Sequence, residues 1–229
     1  ALLKTYYAEK AEIDPNDIYV VAIMPCVAKK FERERPEHLM DNGVPYTDAV
    51  LTTRELIWMI KAYGIDFANL PLDDFDSPMG FSSGAADIFG TTGGVMEAAL
   101  RTAVETLTGE TLEAIDFEVV RGVTGIKEAS LEVDGKTINI AVSNGLNNAK
   151  ILLDRVISGE KDYHLIELMA CPGGCIGGGG QPYPPEDYHV LDPEVLKLRA
   201  GALYDIDKAK TVRCSHQNPY IQRLYKEYL

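Results

Sequence analysis

The sequence is short of cysteine, of positive charge and of long apolar runs, and each shortage excludes something. Four cysteines in 229 residues, Cys26, Cys171, Cys175 and Cys214, are too few to staple a chain of this size with disulfides. Such sparse use fits a reducing compartment, where thiols serve as metal ligands or nucleophiles. The cytoplasm is the expected location. Lys and Arg number 22 against 35 Asp and Glu, a formal net charge of −13. That balance lacks the basic footprint that phosphate backbones require, so no nucleic-acid partner is expected. It would also repel an anionic membrane surface. No apolar run approaches the roughly 20 residues that cross a bilayer, so no membrane insertion is expected either. The opening Ala1-Leu2-Leu3-Lys4-Thr5-Tyr6-Tyr7 lacks the apolar stretch and cleavage site of a signal peptide. It also begins without an initiator Met, in what reads as the middle of a helix.

What is present is a globular composition, 46% hydrophobic, at a length that suggests one large or two modest domains. Residues 1–12 read as helical up to the turn-forming Ile13-Asp14-Pro15-Asn16. Ile18 to Met24 is a continuous apolar, β-branched run, the pattern of a buried strand in a parallel sheet. Pro25 then suits a first helical position, and a charged helical turn or two follows from Val27 to Arg35, with Cys26 on the turn between. Asp48 to Leu51 is a short strand candidate, and Thr52-Thr53-Arg54-Glu55 is a capping box before a helix ending at Gly64. Residues 65–82 read as a loop. A long helix, Val95 to Leu107, opens on a glycine-rich start. Lys127 to Val133 and Lys136 to Ser143 alternate around Asp134-Gly135, a strong hairpin signal. Asn147 to Ser158 is an amphipathic helix closed by Gly159, and Tyr163 to Ala170 is a further strand candidate. Beyond the prolines at 182, 184 and 185 the chain turns polar, helical and Tyr-rich, a tail of about 40 residues that is too small to hold a core alone.

This alternation of strands and helices predicts an α/β core with a mainly parallel sheet. Cys26 and Cys171 each follow a predicted strand. Ligands in such sheets collect beyond the carboxyl ends of the strands, so two cysteines far apart in sequence could meet at one site.

Cys171-Pro172-Gly173-Gly174-Cys175-Ile176-Gly177-Gly178-Gly179-Gly180-Gln181-Pro182 is the most informative stretch. The cysteine spacing is wider than that of a zinc knuckle or a thioredoxin-type motif. Glycine is entropically costly to order, so this density implies backbone packed where no Cβ fits. Bare N–H groups directed at inorganic sulfides would suit it, because hydrogen bonds to sulfur tune iron–sulfur potentials. A flexible linker, by contrast, has no use for paired thiols beside a buried strand. In Met24-Pro25-Cys26-Val27-Ala28-Lys29-Lys30-Phe31-Glu32, a thiolate at a helix start is favoured by the dipole. Lys29, one turn on, would point back toward whatever Cys26 binds, with Glu32 holding it in place. The Gly93-Gly94 helix start offers free backbone donors but has no Lys-Ser/Thr, so it is not a P-loop. His38, His164, His189 and His216 share no metal-binding spacing. Cys214 has only His216 within ligand spacing and is expected to be non-ligating.

Together these stretches resemble the catalytic domain of the [FeFe]-hydrogenases. Met24 to Glu32 resembles the family's second cluster-binding motif, and Glu167 to Cys175 with Gly178 to Pro182 resembles its third. Phe89 to Arg101, Arg121-Gly122-Val123 and Gly125-Ile126-Lys127-Glu128-Ala129 are similar to other family segments. Residues 198–229, with Ala202-Leu203-Tyr204 and Ser215-His216-Gln217-Asn218-Pro219, are similar to its small-subunit segment, here fused in one chain. The resemblance implies the iron-only hydrogenase large-subunit fold, with residues 1–182 as the C-terminal part of the cluster-binding domain and 183–229 as a small-subunit-like helical tail. It implies an H-cluster: a [4Fe–4S] cubane joined through one cysteine sulfur to a diiron unit carrying CO, cyanide and a bridging dithiolate. Cys26 and Cys171 would ligate the cubane, and Cys175 would bridge cubane to diiron. Lys29 would hydrogen-bond a cyanide, Met24 and Met169 would pack on the diiron site, and Phe89 and Gly90 would line its far side. The implied reaction is 2H⁺ + 2e⁻ ⇌ H₂, with electrons exchanged with ferredoxin or an NAD-linked redox subunit.

The family's first motif, a Cys-Cys-Pro stretch that supplies the fourth cubane ligand and a proton-relaying thiol, is absent from the sequence. So is a ferredoxin-type cysteine motif. The expectation is a C-terminal portion of a catalytic domain that completes its site with the N-terminal part of the same domain. Alone, it is expected neither to hold a complete cluster nor to turn over hydrogen. Two other classes share some of these features. Narf-like iron–sulfur assembly proteins carry similar cysteine motifs without hydrogenase activity, and sensory hydrogenase relatives turn over little.

Overall fold

The computed structural model describes residues 1–111, 115–123 and 125–229. They form two compact units: Ala1–Phe81 with Gly178–Tyr183 and Glu227–Leu229, and Ser82–Gly177 with Pro184–Lys226.

The first unit opens on a wide helical turn, Leu3–Tyr7, that runs into α1 (Ala8–Ala11) and stops at Glu12 in the left-handed region, φ 56°. Lys4 on this turn is buried. Its Nζ donates to Asp48 at 2.8 Å and to the Pro45 carbonyl at 2.9 Å. Asp48 in turn accepts the Val20 amide at 2.6 Å. Strand β1 (Val21–Met24) pairs in parallel with β2 (Ala49–Thr52), Met24 opposite Thr52. The expected strand at 18–24 is therefore shortened, because the Asp48 carboxylate takes the ladder position at Val20. It is also not buried on both sides: Val21 and Ile23 face outward, and Ala22 and Met24 are half-buried. Cys26 precedes α2 (Ala28–Glu32), a single turn. Helix α3 (Thr53–Ala62) starts from the capping box read in the sequence. The Glu55 amide donates to Thr52 Oγ1 at 3.2 Å, and the Thr52 amide donates to the Glu55 carboxylate at 2.8 Å.

The second unit holds α4 (Gly84–Asp87), α5 (Gly94–Thr108), β3 (Ile126–Val133), β4 (Lys136–Asn144), α6 (Leu146–Ile157), β5 (Leu165–Met169), α7 (Pro193–Ala209) and α8, which starts at Pro219 and ends at Glu227 in the first unit's closing residues. The sheet order is β3-β4-β5, with β3 antiparallel and β5 parallel to β4. Asp134 and Gly135 both have positive φ, 48° and 70°, as a two-residue hairpin turn with right-twisted strands requires. Against this sheet α5 packs Met96 and Leu100, which form a core with Val120, Ile140 and Val142. Beneath α5 lies a charged network with no exposed member at its centre: Arg101 bridges Glu97 and Asp207 at 2.8 Å each, and Arg121 reaches Glu97 at 2.7 Å. Asp207 belongs to α7, so the tail helix is keyed into the same buried network as α5. The protein is thus an α/β fold of parallel strand pairs flanked by helices, with one antiparallel edge strand and a helical C-terminal tail.

Candidate functional site

Strand β5 ends at Met169, paired with Asn144 of β4, and Cys171 follows two residues later. The chain then reverses through Gly173 and Gly174, with φ of 76° and 95°, a region costly for any residue with a Cβ. Their surroundings explain the glycines further. A Cβ on Gly174 would stand 2.7 Å from the Thr92 nitrogen and 3.0 Å from the Gly90 oxygen, and one on Gly177 would stand 2.0 Å from the Pro172 oxygen. The Thr92 amide donates to the Gly173 carbonyl at 3.0 Å. Backbone thus lies directly on backbone, and the loop carrying Cys171 (half-buried) and Cys175 (exposed) is seated on the Gly90–Thr92 segment. Met169, Gly90 and the two cysteines are brought into one neighbourhood of the second unit. Phe89, the residue before Gly90, is partly exposed and lines an open apolar groove of about 620 Å³ along α5.

In the first unit β1 ends at Met24, and Cys26 again follows two residues later. The two methionines therefore occupy equivalent places, each the last residue of a strand paired in parallel, with a cysteine two residues beyond the carboxyl end. Met24 and Lys29 line one small cleft of about 130 Å³ together with Glu32, Arg33 and His38. Lys29 Nζ donates to Glu32 at 2.6 Å, as the motif suggested, and this hydrogen bond holds the Glu32 carboxyl below its ordinary range. The helix that follows Cys26, α2, is one turn long and has no side-chain cap. Gly178–Tyr183, the end of the third motif, belongs to this unit. The Gly180 amide donates to the Pro25 carbonyl at 3.0 Å, and Arg54 donates to the Gly179 carbonyl at 3.0 Å. A Cβ on Gly180 would stand 2.8 Å from Thr52 Cβ. The glycine run is therefore explained at these positions by protein packing.

One expectation is corrected. The Gly93-Gly94 start of α5 does not present free donors. Glu167 of β5 accepts the Gly93 amide at 2.6 Å and the Met96 amide at 2.7 Å. Glu167 lies within the third motif, whose residues alone assign it no task. The only signal was a carboxylate inside an apolar strand, which must find donors when buried. Burial pushes the Glu167 carboxyl up, and the helix amides oppose that shift without cancelling it. Thr91, on the same loop, is held by the Tyr204 hydroxyl of α7 at 3.2 Å, and the Tyr204 ring lies 4.2 Å beneath the Arg121 guanidinium.

The donor chemistry suits an iron–sulfur group in part. Cys171 and Cys175 stand on a rigid loop past a strand end, but a [4Fe–4S] cubane takes four thiolates. Within the second unit Cys171 and Cys175 supply two, Cys26 stands in the first unit, and Cys214 is buried in the tail, its thiol pushed up by burial and then by the charge of Glu105.

Comparison with known proteins names the class. Residues 1–179 match the family described as iron only hydrogenase large subunit, C-terminal domain, and residues 193–229 match iron hydrogenase small subunit. The chain belongs to the iron-only hydrogenase family. Among relatives, the NADP-reducing hydrogenase subunit HndD of Solidesulfovibrio fructosivorans is 54% identical over the whole chain, which covers 38% of that protein. The periplasmic [Fe] hydrogenase large subunit of Nitratidesulfovibrio vulgaris is 53% identical over 88% of this chain and 48% of its own. A structure of an apo [FeFe]-hydrogenase from Chlamydomonas reinhardtii superposes with a TM-score of 0.80 at 41% identity, covering 100% of this chain and 63% of that one. The cytosolic iron-sulfur assembly component 3 of Mus musculus is more distant, 29% identical over the whole chain and 48% of its own. The chain therefore spans less than two thirds of these relatives. No helix among the described residues is long and apolar enough to cross a membrane.

Proposed function

We propose that this chain is part of an [FeFe]-hydrogenase that interconverts protons, electrons and H₂ at an H-cluster. The observation that carries the reading is the repeated arrangement of a methionine at the carboxyl end of a parallel-paired strand and a cysteine two residues beyond, at Met24–Cys26 and Met169–Cys171. This chain's likeness to hydrogenase subunits at more than 50% identity supports it. In this reading Cys26 and Cys171 ligate a [4Fe–4S] cubane and Cys175 joins it to a diiron unit carrying CO, cyanide and a dithiolate, which supplies the hydrogen chemistry when bound. Lys29, steadied by Glu32, donates to a cyanide. Met24, Met169, Phe89 and Gly90 shape and dry the diiron pocket, and the Gly173-Gly174 turn fixes the direction of the two thiols after β5.

The counting of thiolates bears on what these 229 residues do alone. Three cysteines leave one cubane position to be filled from elsewhere, so the chain works with the N-terminal part of the same domain and is inactive without it. Residues 1–182 then form the C-terminal part of the cluster domain and 183–229 its small-subunit-like tail. Electrons exchange with ferredoxin or an NAD-linked subunit, in the cytoplasm.

The test is infrared spectroscopy of the complete gene product, coexpressed with hydrogenase maturation enzymes. Bands in the CO and cyanide stretching region are expected, and they disappear in Cys175→Ser. A folded, iron-loaded protein without those bands would overturn the hydrogenase reading in favour of an iron–sulfur assembly protein, the class to which the more distant relative belongs. Bands without appreciable turnover would instead indicate a sensory relative.

A further inference from the structure

The sequence places Cys214 beside a single histidine, but the fold adds a third donor. Glu105, near the end of α5, meets Cys214 and His216 of the tail so that one ligand atom from each lies within 4.8 Å of the others. Cys214 is buried, and the side chains of Glu105 and His216 are 8% and 31% exposed. His216 Nε2 is 2.6 Å from Glu105 Oε2, and its Nδ1 is 3.1 Å from Thr102 Oγ1. Gln217 Nε2 donates to the same Glu105 oxygen at 2.8 Å. Both imidazole nitrogens are thus engaged away from the thiol, which rules out a cysteine–histidine nucleophilic pair.

We propose that Glu105, Cys214 and His216 form a Zn²⁺ site that clips the C-terminal tail to helix α5. It is independent of Cys26, Cys171 and Cys175. A thiolate, an imidazole and a carboxylate are the three side-chain donors that zinc takes, with water in the fourth place of an open tetrahedral site. On binding, the Cys214 S–H bond breaks and an S–Zn bond forms, the proton leaving to solvent. The imidazole stays neutral: its proton moves from Nε2 to Nδ1, where Thr102 Oγ1 accepts it, and Nε2 takes the metal. Thr102 then orients the ligating ring and Gln217 the carboxylate, the outer partners that ligands of this kind use. Thiolate and carboxylate together cancel the ion's charge, so a neutral assembly is enclosed. The nearby guanidiniums of Arg101 and Arg213 do not oppose it strongly, because Asp207, Glu97 and Asp116 already hold them.

The required movement is small. Ligands at roughly 2.0–2.3 Å from zinc stand on the order of 3.5 Å apart in a tetrahedron. The Glu105–His216 pair, now at 2.6 Å, must open by about 1 Å, and the thiol, within 4.8 Å of both, closes by no more than about 1.3 Å.

The test uses the full chain with Cys26→Ser, Cys171→Ser and Cys175→Ser, so that no other thiol competes, titrated anaerobically with Co²⁺. About one Co²⁺ per chain with a thiolate-to-cobalt charge-transfer band is expected. The band is lost in Cys214→Ser, and affinity falls roughly 10- to 100-fold in Thr102→Val. Zn²⁺ raises the melting temperature of the parent variant but not of His216→Ala. No charge-transfer band, a band that survives Cys214→Ser, or an equal Zn²⁺ shift in His216→Ala would each overturn the site. Should the triple variant not fold, alkylation of Cys214 in the unaltered chain, read by mass spectrometry, decides the matter. Zn²⁺ must slow it, and must fail to do so in His216→Ala; unchanged alkylation overturns the proposal.

Discussion

Arg101 offers both terminal nitrogens to Asp207, each N···O distance 2.8 Å, with neither side chain exposed. Arg101 lies on α5 within the segment matching the large subunit, and Asp207 lies on α7 within the segment matching the small subunit. This fork is a fully buried polar joint between the two matched segments. Removing one partner of a buried pair strands the other charge, which costs about 3–5 kcal/mol. Asp207→Ala is expected to lower unfolding free energy by that amount in urea denaturation. A loss below about 1 kcal/mol would show that the joint is not buried in solution.

Glu167 gives a pH signature of opposite sign to the usual carboxylate. Its folded-state pKa is raised, chiefly by burial, so the folded chain holds this proton more tightly than the unfolded one. Its contribution to stability therefore rises as pH falls from neutrality through the raised pKa toward the ordinary glutamate range, and levels off below it. Glu167→Gln removes that dependence. It also costs roughly 1–3 kcal/mol at neutral pH, because an amide group facing two N–H donors accepts them poorly. Stability against pH, measured for both proteins, should show a gap whose slope changes across that window. Parallel curves would contradict the assignment.

Two glycines make a paired test of the cysteine loop. Gly174→Ala forces a Cβ into a φ of 95° and to 2.7 Å from the Thr92 nitrogen. The backbone conformation alone costs about 1–3 kcal/mol, and the clash adds to it. Gly201, inside α7 with open space around it, behaves in the other direction: Gly201→Ala should stabilise by about 0.4–1 kcal/mol. Thermal melts of the two variants should move apart. A neutral Gly174→Ala would mean that the loop does not sit on the Gly90–Thr92 segment.

Lys4 anchors the first turn through Asp48. Burial alone would raise the Asp48 carboxyl, but the hydrogen bonds from Lys4 and the Val20 amide outweigh it and the net shift is downward. The stability it contributes is present above the ordinary aspartate pKa and lost as pH falls through the lowered value. In Lys4→Met the Asp48 carboxyl should titrate at or above the ordinary aspartate value by NMR, and stability at neutral pH should fall by about 3 kcal/mol.

Much of the fold was legible because it rests on local physics. The Thr52/Glu55 capping box, the Asp134-Gly135 turn and the amphipathic helix ending before Gly159 each need only neighbours within a few residues, and each formed where the sequence placed it. The motifs around Cys26 and Cys171 identified the family for the same reason: contiguous residues carry the pattern. Burial was less legible. An apolar run from Ile18 to Met24 predicts a strand covered on both faces, yet Val21 and Ile23 are exposed among the described residues, because coverage depends on what packs against a strand and not on its own residues.

The sequence by itself determined most of the local elements, which cysteines sit past strand ends and which family the chain joins. Only the tertiary structure decided the long-range pairings: Glu167 on the start of α5, Asp207 in the fork of Arg101, and Glu105 beside Cys214 and His216. Each joins segments more than 70 residues apart. Side chains of that separation leave no periodic trace, since what brings them together is the stacking of α5 between the sheet and the tail helices, and buried charge then selects the partners.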